Sequence, residues 1–99
     1  MRYVRVTWHH DNDEPILYFH EVGADGRETR RVQIYRDGYS EWADESHETD
    51  AAGLAEIPIA PIEEIAGQPE FKAEEISQGQ FETEWEKARG INVRTESPR

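Results

Sequence analysis

The sequence predicts one α+β domain, a four-stranded antiparallel β-meander with one face covered by a C-terminal helix and a short second helix. Three observations support this prediction. Four stretches within residues 2–44 favour β-strands, two Asp-Gly pairs stand where hairpin turns are needed, and a capped amphipathic helix pattern follows near the end of the chain. A length of 99 residues fits one domain. We expect it to span residues 1–90, with residues 91–99 as a frayed polar tail.

The predicted strands are rich in Val, Ile, Tyr and Trp and are bounded by turn-forming residues. In the first strand, Val4 and Val6 alternate with more polar neighbours, as in a strand with one buried side. Asp25-Gly26 and Asp37-Gly38 are hairpin signals, because both central positions of a tight type I′ turn require positive φ. The four strands are predicted at residues 2–8, 15–22, 28–36 and 39–44.

The turn at Asp25-Gly26 decides which side chains share a face of the sheet. A two-residue turn there fixes the register of the hairpin. The predicted core face then consists of Leu17, Phe19, Val32 and Ile34. The opposite side, called the second face below, holds Tyr18, His20, Arg31, Gln33 and Tyr35. We expect Tyr3, Arg5 and Thr7 of the first strand to extend the second face.

The position of Trp42 depends on the turn at Asp37-Gly38. A two-residue turn places Trp42 opposite Gln33 on the second face. A three-residue loop with a glycine bulge instead places it opposite Val32, in the core. The sequence leaves both arrangements open.

Two helices are predicted after a long crossover at residues 45–60. The first is short, with Pro61 at its first position and Gly67 as its stop. The second has the strongest signals in the chain, because Ser77 and Gln80 form a capping box.

The second helix also carries an apolar stripe. Phe81, Trp85 and Ala88 are spaced so that they lie on one side of a helix ending at Gly90. Such a stripe needs an apolar partner, and the sheet is the only surface large enough. We therefore expect both helices to cover the core face.

The stretch WHHDNDEP, residues 8–15, places two histidines beside several carboxylates. Neighbouring strand residues point to opposite faces, so His9 and His10 converge only if the backbone turns. Asp-Asn-Asp is typical turn chemistry, and the i, i+4 spacing of a helical metal site is absent. We interpret the stretch as a polar loop, with metal ligation as the alternative. No metal or other cofactor is predicted.

Composition narrows the classes of function. The absence of cysteine excludes disulfides, thiolate zinc sites and thiol catalysis. A net charge of -11, from 22 acidic and 11 basic residues, disfavours binding to nucleic acid and anionic membranes and favours basic proteins. The first residues lack the apolar region of a signal peptide, and no stretch is long enough to span a bilayer. We therefore expect a cytoplasmic protein.

The second face is the predicted binding surface. Tyr and Arg are enriched where proteins bind one another, although β-propensity alone also places Tyr on a solvated sheet. The predicted binding residues are Arg5, Tyr18, His20, Arg31, Gln33 and Tyr35. If this face is exposed, Arg31→Ala and Tyr35→Ala should leave the fold nearly unchanged and weaken binding.

The predicted function is a non-catalytic acidic protein-interaction module that binds a basic protein partner or forms a homodimer. An acidic domain of this size can occupy the cationic groove of a basic partner, as immunity and antitoxin proteins do. No phosphate loop, nucleophile elbow or zinc-protease motif occurs. The alternative is a small-molecule or metal-binding enzyme domain that uses His20, Arg31 and the His9/His10 loop.

The chain also resembles a family of small, stand-alone bacterial domains that carries no assigned function. The resemblance rests on Trp8, Pro15 and the runs DGRETRRVQIYRDG, IPIAPIEEI, PEF and ISQGQFETEW. It covers roughly residues 2–88 and implies a single compact unit. It implies no catalytic residues, since the matching positions are mostly turns, caps and core aromatics.

Overall fold

The computed structural model describes residues 1–49, 52–55 and 58–90, and the predicted tail at 91–99 lies outside the described residues. The predicted α+β fold with an antiparallel sheet and two helices is confirmed. The described part of the sheet has five strands, however, in the order β4-β3-β2-β1-β5. The elements are β1 (Arg2–Trp8), β2 (Leu17–Val22), β3 (Glu28–Ile34), β4 (Ser40–Ala43), α1 (Ile62–Ala66), β5 (Phe71–Ile76) and α2 (Gln78–Ala88).

The fifth strand changes the position of β1. β5 pairs antiparallel with β1, with Phe71 opposite Trp8 and Ile76 opposite Tyr3. β1 is therefore an inner strand, and β5 is the sheet edge on that side. The sequence prediction missed β5 because its apolar residues do not alternate regularly: Phe71 and Ala73 lie on one face, and Ile76 lies on the other.

The hairpin between β2 and β3 has the predicted register but a different turn. Leu17 pairs with Ile34 and Phe19 with Val32, as predicted. The turn is closed by Gly23 N, which donates to Arg27 O at 2.9 Å, so the loop has three residues rather than two. Gly26 takes positive φ of 82° within it. A bulge between Glu21 and Val22 absorbs the extra residue.

The turn between β3 and β4 decides the position of Trp42. Tyr35 N donates to Tyr39 O at 2.8 Å across a three-residue loop, in which Gly38 has φ of 93°. Trp42 is therefore opposite Val32 and packs against the core, the second of the two predicted arrangements.

Helix α2 covers the core face, as predicted. Phe81 and Trp85 are buried, and Ala88 packs against the same cluster. The sheet contributes Tyr3, Phe19 and Val32, with Leu17, Ile34 and Trp42 partly buried around them. The Phe81 ring lies 5.3 Å from Tyr3 and the Trp85 ring 5.3 Å from Trp42, centroid to centroid. Burial of these aromatic surfaces is the main force that holds the helix on the sheet.

An ion cluster also joins α2 to the core face. Arg30 Nη2 lies 2.6 Å from both Glu21 Oε2 of β2 and Glu82 Oε2 of α2. Tyr3 and Thr29 donate their hydroxyl protons to the Glu21 carboxylate. The Arg30 hydrogen bonds, only partly opposed by burial, lower the pKa of Glu21 to about 2. The buried carboxylate of Glu21 is therefore kept ionised.

Capping of α2 gives a testable stability contribution. The Ser77 hydroxyl accepts from Gln80 N at 3.1 Å, while Ser77 N donates to the Gln80 side chain at 2.9 Å, which confirms the predicted capping box. We expect Ser77→Ala to lower the free energy of unfolding by about 1 kcal/mol. Ser77→Asp, which keeps an acceptor, should stay close to the parent. Urea unfolding followed by circular dichroism measures both, and equal stability of the two variants would contradict the role of the cap.

The short helix α1 lies on the other side of the sheet from α2, contrary to the prediction. It packs chiefly against β5. Its Ile65 lines a pocket with Val6 and Trp8, on the opposite side of the sheet from the core face. A short turn connects α1 to the unpredicted edge strand, and this connection holds the helix beside β5. The predicted covering of the core face by both helices is therefore wrong for α1.

The crossover between β4 and α1 runs over the second face. Ala55 N donates to the Glu28 carboxylate at 2.9 Å, and Ile59 N donates to Gly26 O at 2.8 Å. These bonds attach the crossover to the β2–β3 hairpin, so the second face is partly covered. No helix in the described part of the chain is both long and apolar enough to cross a membrane.

Candidate functional site

A pocket of about 450 Å³ lies between the second face, the crossover and α1. Its walls are mainly apolar and aromatic. The principal wall residues are Val6, Trp8, Tyr18, Ile59, Ile65 and Phe71. His20, Arg31 and Gln68 supply polar groups. An apolar concavity of this size with a few polar groups is the usual form of a small-molecule site.

The aromatic walls are built by neighbouring strands. Phe71 of β5 pairs with Trp8 of β1, and their rings stack with centroids 5.7 Å apart. Tyr18 and His20 are two residues apart on β2 and therefore share a face. Their rings are nearly parallel, with centroids 6.0 Å apart. Side chains along a strand alternate between the two faces, and on these strands the alternation places the aromatic rings on the second face.

Glu28 organises the polar side of the pocket. Its side chain is fully buried and accepts a hydrogen bond from His20 Nδ1. Arg31 Nε donates to Glu28 Oε2 at 3.1 Å, and Arg31 Nη2 lies 3.0 Å from Glu28 Oε1. Ala55 N completes the set. Burial pushes the pKa of Glu28 upward, but the bonds and charges of His20 and Arg31 outweigh it and hold the pKa below its ordinary value.

The sequence prediction missed Glu28 as part of this site. By strict alternation, residue 28 shares the face of Val32, which is the core face. The bulge beside Glu21 and Val22 reverses this placement and brings Glu28 to His20 and Arg31. The prediction also left Trp8 and Phe71 out of the candidate site. Trp8 carried an alternation signal, but Phe71 had none because β5 was not recognised.

Three of the six predicted binding residues meet at this pocket. Tyr18, His20 and Arg31 line it. Gln33 lies on the same face but is buried, with 2% exposure. Tyr35 lies at a separate groove, where its hydroxyl donates to Glu41 at 2.7 Å. That bond raises the pKa of Tyr35 to about 12.

Arg5 is not on the second face, so this part of the prediction is wrong. Val6 pairs with Tyr18, which places Val4, Val6 and Trp8 on the second face. Tyr3, Arg5 and Thr7 therefore lie on the core-face side. Arg5 Nε donates there to Glu74 of β5 at 2.7 Å.

The second face is also less exposed than predicted. His20 is 8% exposed, and the Arg31 side chain is 20% exposed against the fully buried Glu28 carboxylate. Removing Arg31 would leave that buried charge with one fewer partner, which is costly. Arg31→Ala is therefore not expected to leave the fold unchanged.

The His9/His10 loop has the structure of a polar turn. His10 Nε2 donates to Pro15 O at 2.8 Å, and Nδ1 accepts from Asn12 N at 3.2 Å. Both ring nitrogens of His10 are thus engaged, while His9 is exposed. Within residues 1–49, 52–55 and 58–90, no three side chains of His, Asp or Glu are grouped as a metal site requires.

The polar groups of the pocket are suited to binding and to proton transfer. A carboxylate that holds an imidazole through Nδ1 is an acid-base arrangement found in catalysis. The described residues that line the pocket include no serine, threonine or cysteine to serve as a nucleophile. What the pocket offers is an apolar enclosure with an oriented imidazole and a guanidinium.

The fold and the site together define a small α+β domain with a ligand-sized pocket. Comparison with protein families matches residues 2–90 to the domain of unknown function DUF6881. The chain belongs to this family, and the resemblance to a small domain without assigned function is confirmed. No curated protein and no solved structure matches the chain. The family description therefore supplies no activity or catalytic residue for this protein.

Proposed function

We propose that this protein is a non-catalytic interaction module that binds a basic protein through its acidic surface. The observation that carries the proposal is the distribution of charge. Arg5, Arg30 and Arg31 are engaged in ion pairs with Glu74, Glu21, Glu82 and Glu28, within or against the sheet. Arg30 and Arg31 therefore neutralise the buried carboxylates of Glu21 and Glu28 rather than exposed acidic groups.

The outer surface is left strongly negative. In the part of the chain that the structure describes, eleven acidic side chains are exposed and form no ion pair. They are Asp11, Asp13, Glu14, Asp37, Glu45, Glu48, Glu63, Glu64, Glu70, Glu75 and Glu86. Such a field accelerates association with a basic protein and repels phosphate backbones.

One groove on this surface suits a cationic side chain. It lies between the His9/His10 loop and the β3–β4 turn, with a volume of about 510 Å³. Asp13, Glu14 and Asp37 line it beside Tyr35 and Tyr39, whose ring centroids are 5.8 Å apart. Arg36 also lines the groove, but its guanidinium donates to the backbone oxygens of His10 and Asn12. Tyr39 is 62% exposed, so its ring is accessible to a partner. A lysine or arginine of the partner would gain both a carboxylate and an aromatic face.

The proposal predicts salt-dependent binding that depends on the groove. A partner captured from the source cells is purified, and its Kd is measured by calorimetry from about 0.05 to about 0.5 M salt. We expect the Kd to rise with salt and Asp13→Asn/Asp37→Asn to weaken binding by about tenfold at about 0.15 M salt.

The matched control is Glu63→Gln/Glu64→Gln. It removes the same amount of charge on α1, whose residues do not line the groove. It should weaken binding by much less. Equal weakening by both double variants would contradict the groove as the docking site. A Kd independent of salt, or a dimer of this chain in place of a basic partner, would contradict the proposed function.

A further inference from the structure

The pocket on the second face shares no lining residue with the acidic groove. It is bounded by Trp8, Tyr18 and Phe71 of the sheet, Ile59 of the crossover and Ile65 of α1. None of these side chains carries charge, whereas the exposed surface around the domain is acidic. Packing within the domain alone would not require a concavity of about 450 Å³. The pocket is large enough for a small organic molecule.

Two polar side chains, His20 and Arg31, border this apolar space. Glu28 holds His20 through Nδ1, and no described residue bonds to His20 Nε2. Arg31 faces Glu28 with Nε and Nη2, and no described residue bonds to its Nη1. Both side chains line the pocket. Glu28 accepts from His20, Arg31 and Ala55 N, and these bonds fix the positions of the imidazole and the guanidinium.

We propose that this pocket binds a small carboxylic acid with an apolar, ring-shaped body. The ring lies against Trp8, Tyr18 and Phe71, and the carboxylate accepts from Arg31 and, when the imidazole carries both protons, from His20 Nε2. A charge-assisted bond to a guanidinium is stronger than a bond between neutral groups, which favours a carboxylate over an amide. Glu28 holds the His20 and Arg31 side chains in place before the ligand arrives, so little side-chain freedom is lost on binding. This site is independent of the proposed partner surface.

Indole-3-acetate is a suitable probe. Indole-3-acetamide is the uncharged control with the same ring, and acetate is the control that has the carboxylate but no ring. Calorimetry on the full chain should show one site for indole-3-acetate. The amide should bind about tenfold more weakly, and acetate should show no saturation at millimolar concentration. Resonances of Trp8, Tyr18 and Phe71 should shift in NMR spectra on titration. An amide that binds as tightly as the acid would overturn the carboxylate assignment.

Two variants test the placement of the ligand. His20→Asn keeps an amide nitrogen near the position of Nδ1, to donate to Glu28, but removes Nε2. It should weaken indole-3-acetate binding by about tenfold and leave the circular dichroism spectrum unchanged. Ile65→Trp fills the pocket without replacing His20, Glu28 or Arg31, and it should abolish binding. Ala66→Trp, at the exposed neighbouring position on α1, should bind like the parent.

Unchanged binding in Ile65→Trp, or no saturable binding by the parent, would overturn the proposed site. Neither result bears on the acidic groove, because Ile65 and His20 do not line it. Conversely, loss of the basic partner in the groove variants with intact indole-3-acetate binding would support both sites separately.

Discussion

Replacement of Trp85 by alanine is expected to lower the free energy of unfolding by about 3–5 kcal/mol, because a large buried aromatic is lost and a cavity remains. Trp85 is 5% exposed and lies at the centre of the contact between α2 and the sheet. Its ring meets Trp42 edge-on and stacks on Phe81 at 6.1 Å. The Arg30 guanidinium lies 4.9 Å from the ring centroid. One truncation therefore weakens several contacts that hold α2.

Urea unfolding at 25 °C, followed by far-UV circular dichroism, measures this effect. Glu86→Ala is the matched control, because position 86 is exposed on the same helix. The control should change stability by less than about 0.5 kcal/mol. If Trp85→Ala is as stable as Glu86→Ala, the helix does not pack on the sheet through this side chain.

Helix α2 could be predicted because its signals are local. Ser77 and Gln80 satisfy each other across one turn, and Phe81 and Trp85 are four residues apart. Neither feature depends on the rest of the chain. The register of the central hairpin was also predictable, because alternation along β2 and β3 allows only one arrangement with Phe19 and Val32 buried together.

The composition of the site was harder to predict because it depends on a backbone irregularity. The three-residue turn at Gly26 and the bulge beside Val22 compensate each other, so the register beyond them is unchanged. Between them, however, Glu28 changes face. The sequence contains no residue that specifies this bulge, and the role of Glu28 becomes visible only from its contacts with His20 and Arg31.

The misplacement of Arg5 has a different physical origin. The more apolar side of β1 is formed by Val4, Val6 and Trp8. In a sheet covered on one face only, that side would be buried under α2. This sheet is covered on both faces, by α2 and by the crossover with α1. The more polar side of β1 can therefore lie on the core-face side, where Arg5 pairs with Glu74 of the edge strand. Single-strand alternation cannot distinguish these two cases.

The stability of the protein is expected to fall in acid through Glu21. The pKa of Glu21 is about 2 in the folded protein, against an ordinary value of 4.5. A lowered folded-state pKa stabilises the folded protein above the ordinary pKa, and that stability is lost as the pH falls toward 2. A shift of this size corresponds to about 3 kcal/mol. The side chain is only 9% exposed, so solvent screens the ion pair weakly.

Comparison of the parent with Glu21→Gln isolates this contribution. Gln keeps the shape and the acceptor oxygen but removes the charge that Arg30 stabilises. At pH 7 we expect the variant to unfold with a free energy lower by about 3 kcal/mol. By pH 3 the difference should shrink to about half or less. At that pH Glu21 is mostly protonated in the unfolded chain but still ionised in the folded protein, and this protonation favours the unfolded parent.

Glu86→Gln provides the control for this experiment, since Glu86 is exposed and forms no ion pair with a described residue. Its difference from the parent should stay near zero at every pH. Urea unfolding at a series of pH values measures all three proteins, and subtraction of the parent removes the acid response of the other carboxylates. A difference for Glu21→Gln that stays constant from pH 7 to pH 3 would show that the Arg30 pair does not hold Glu21 ionised. The cost of the substitution would then come from packing, and the ion cluster would have no part in the acid sensitivity of the fold.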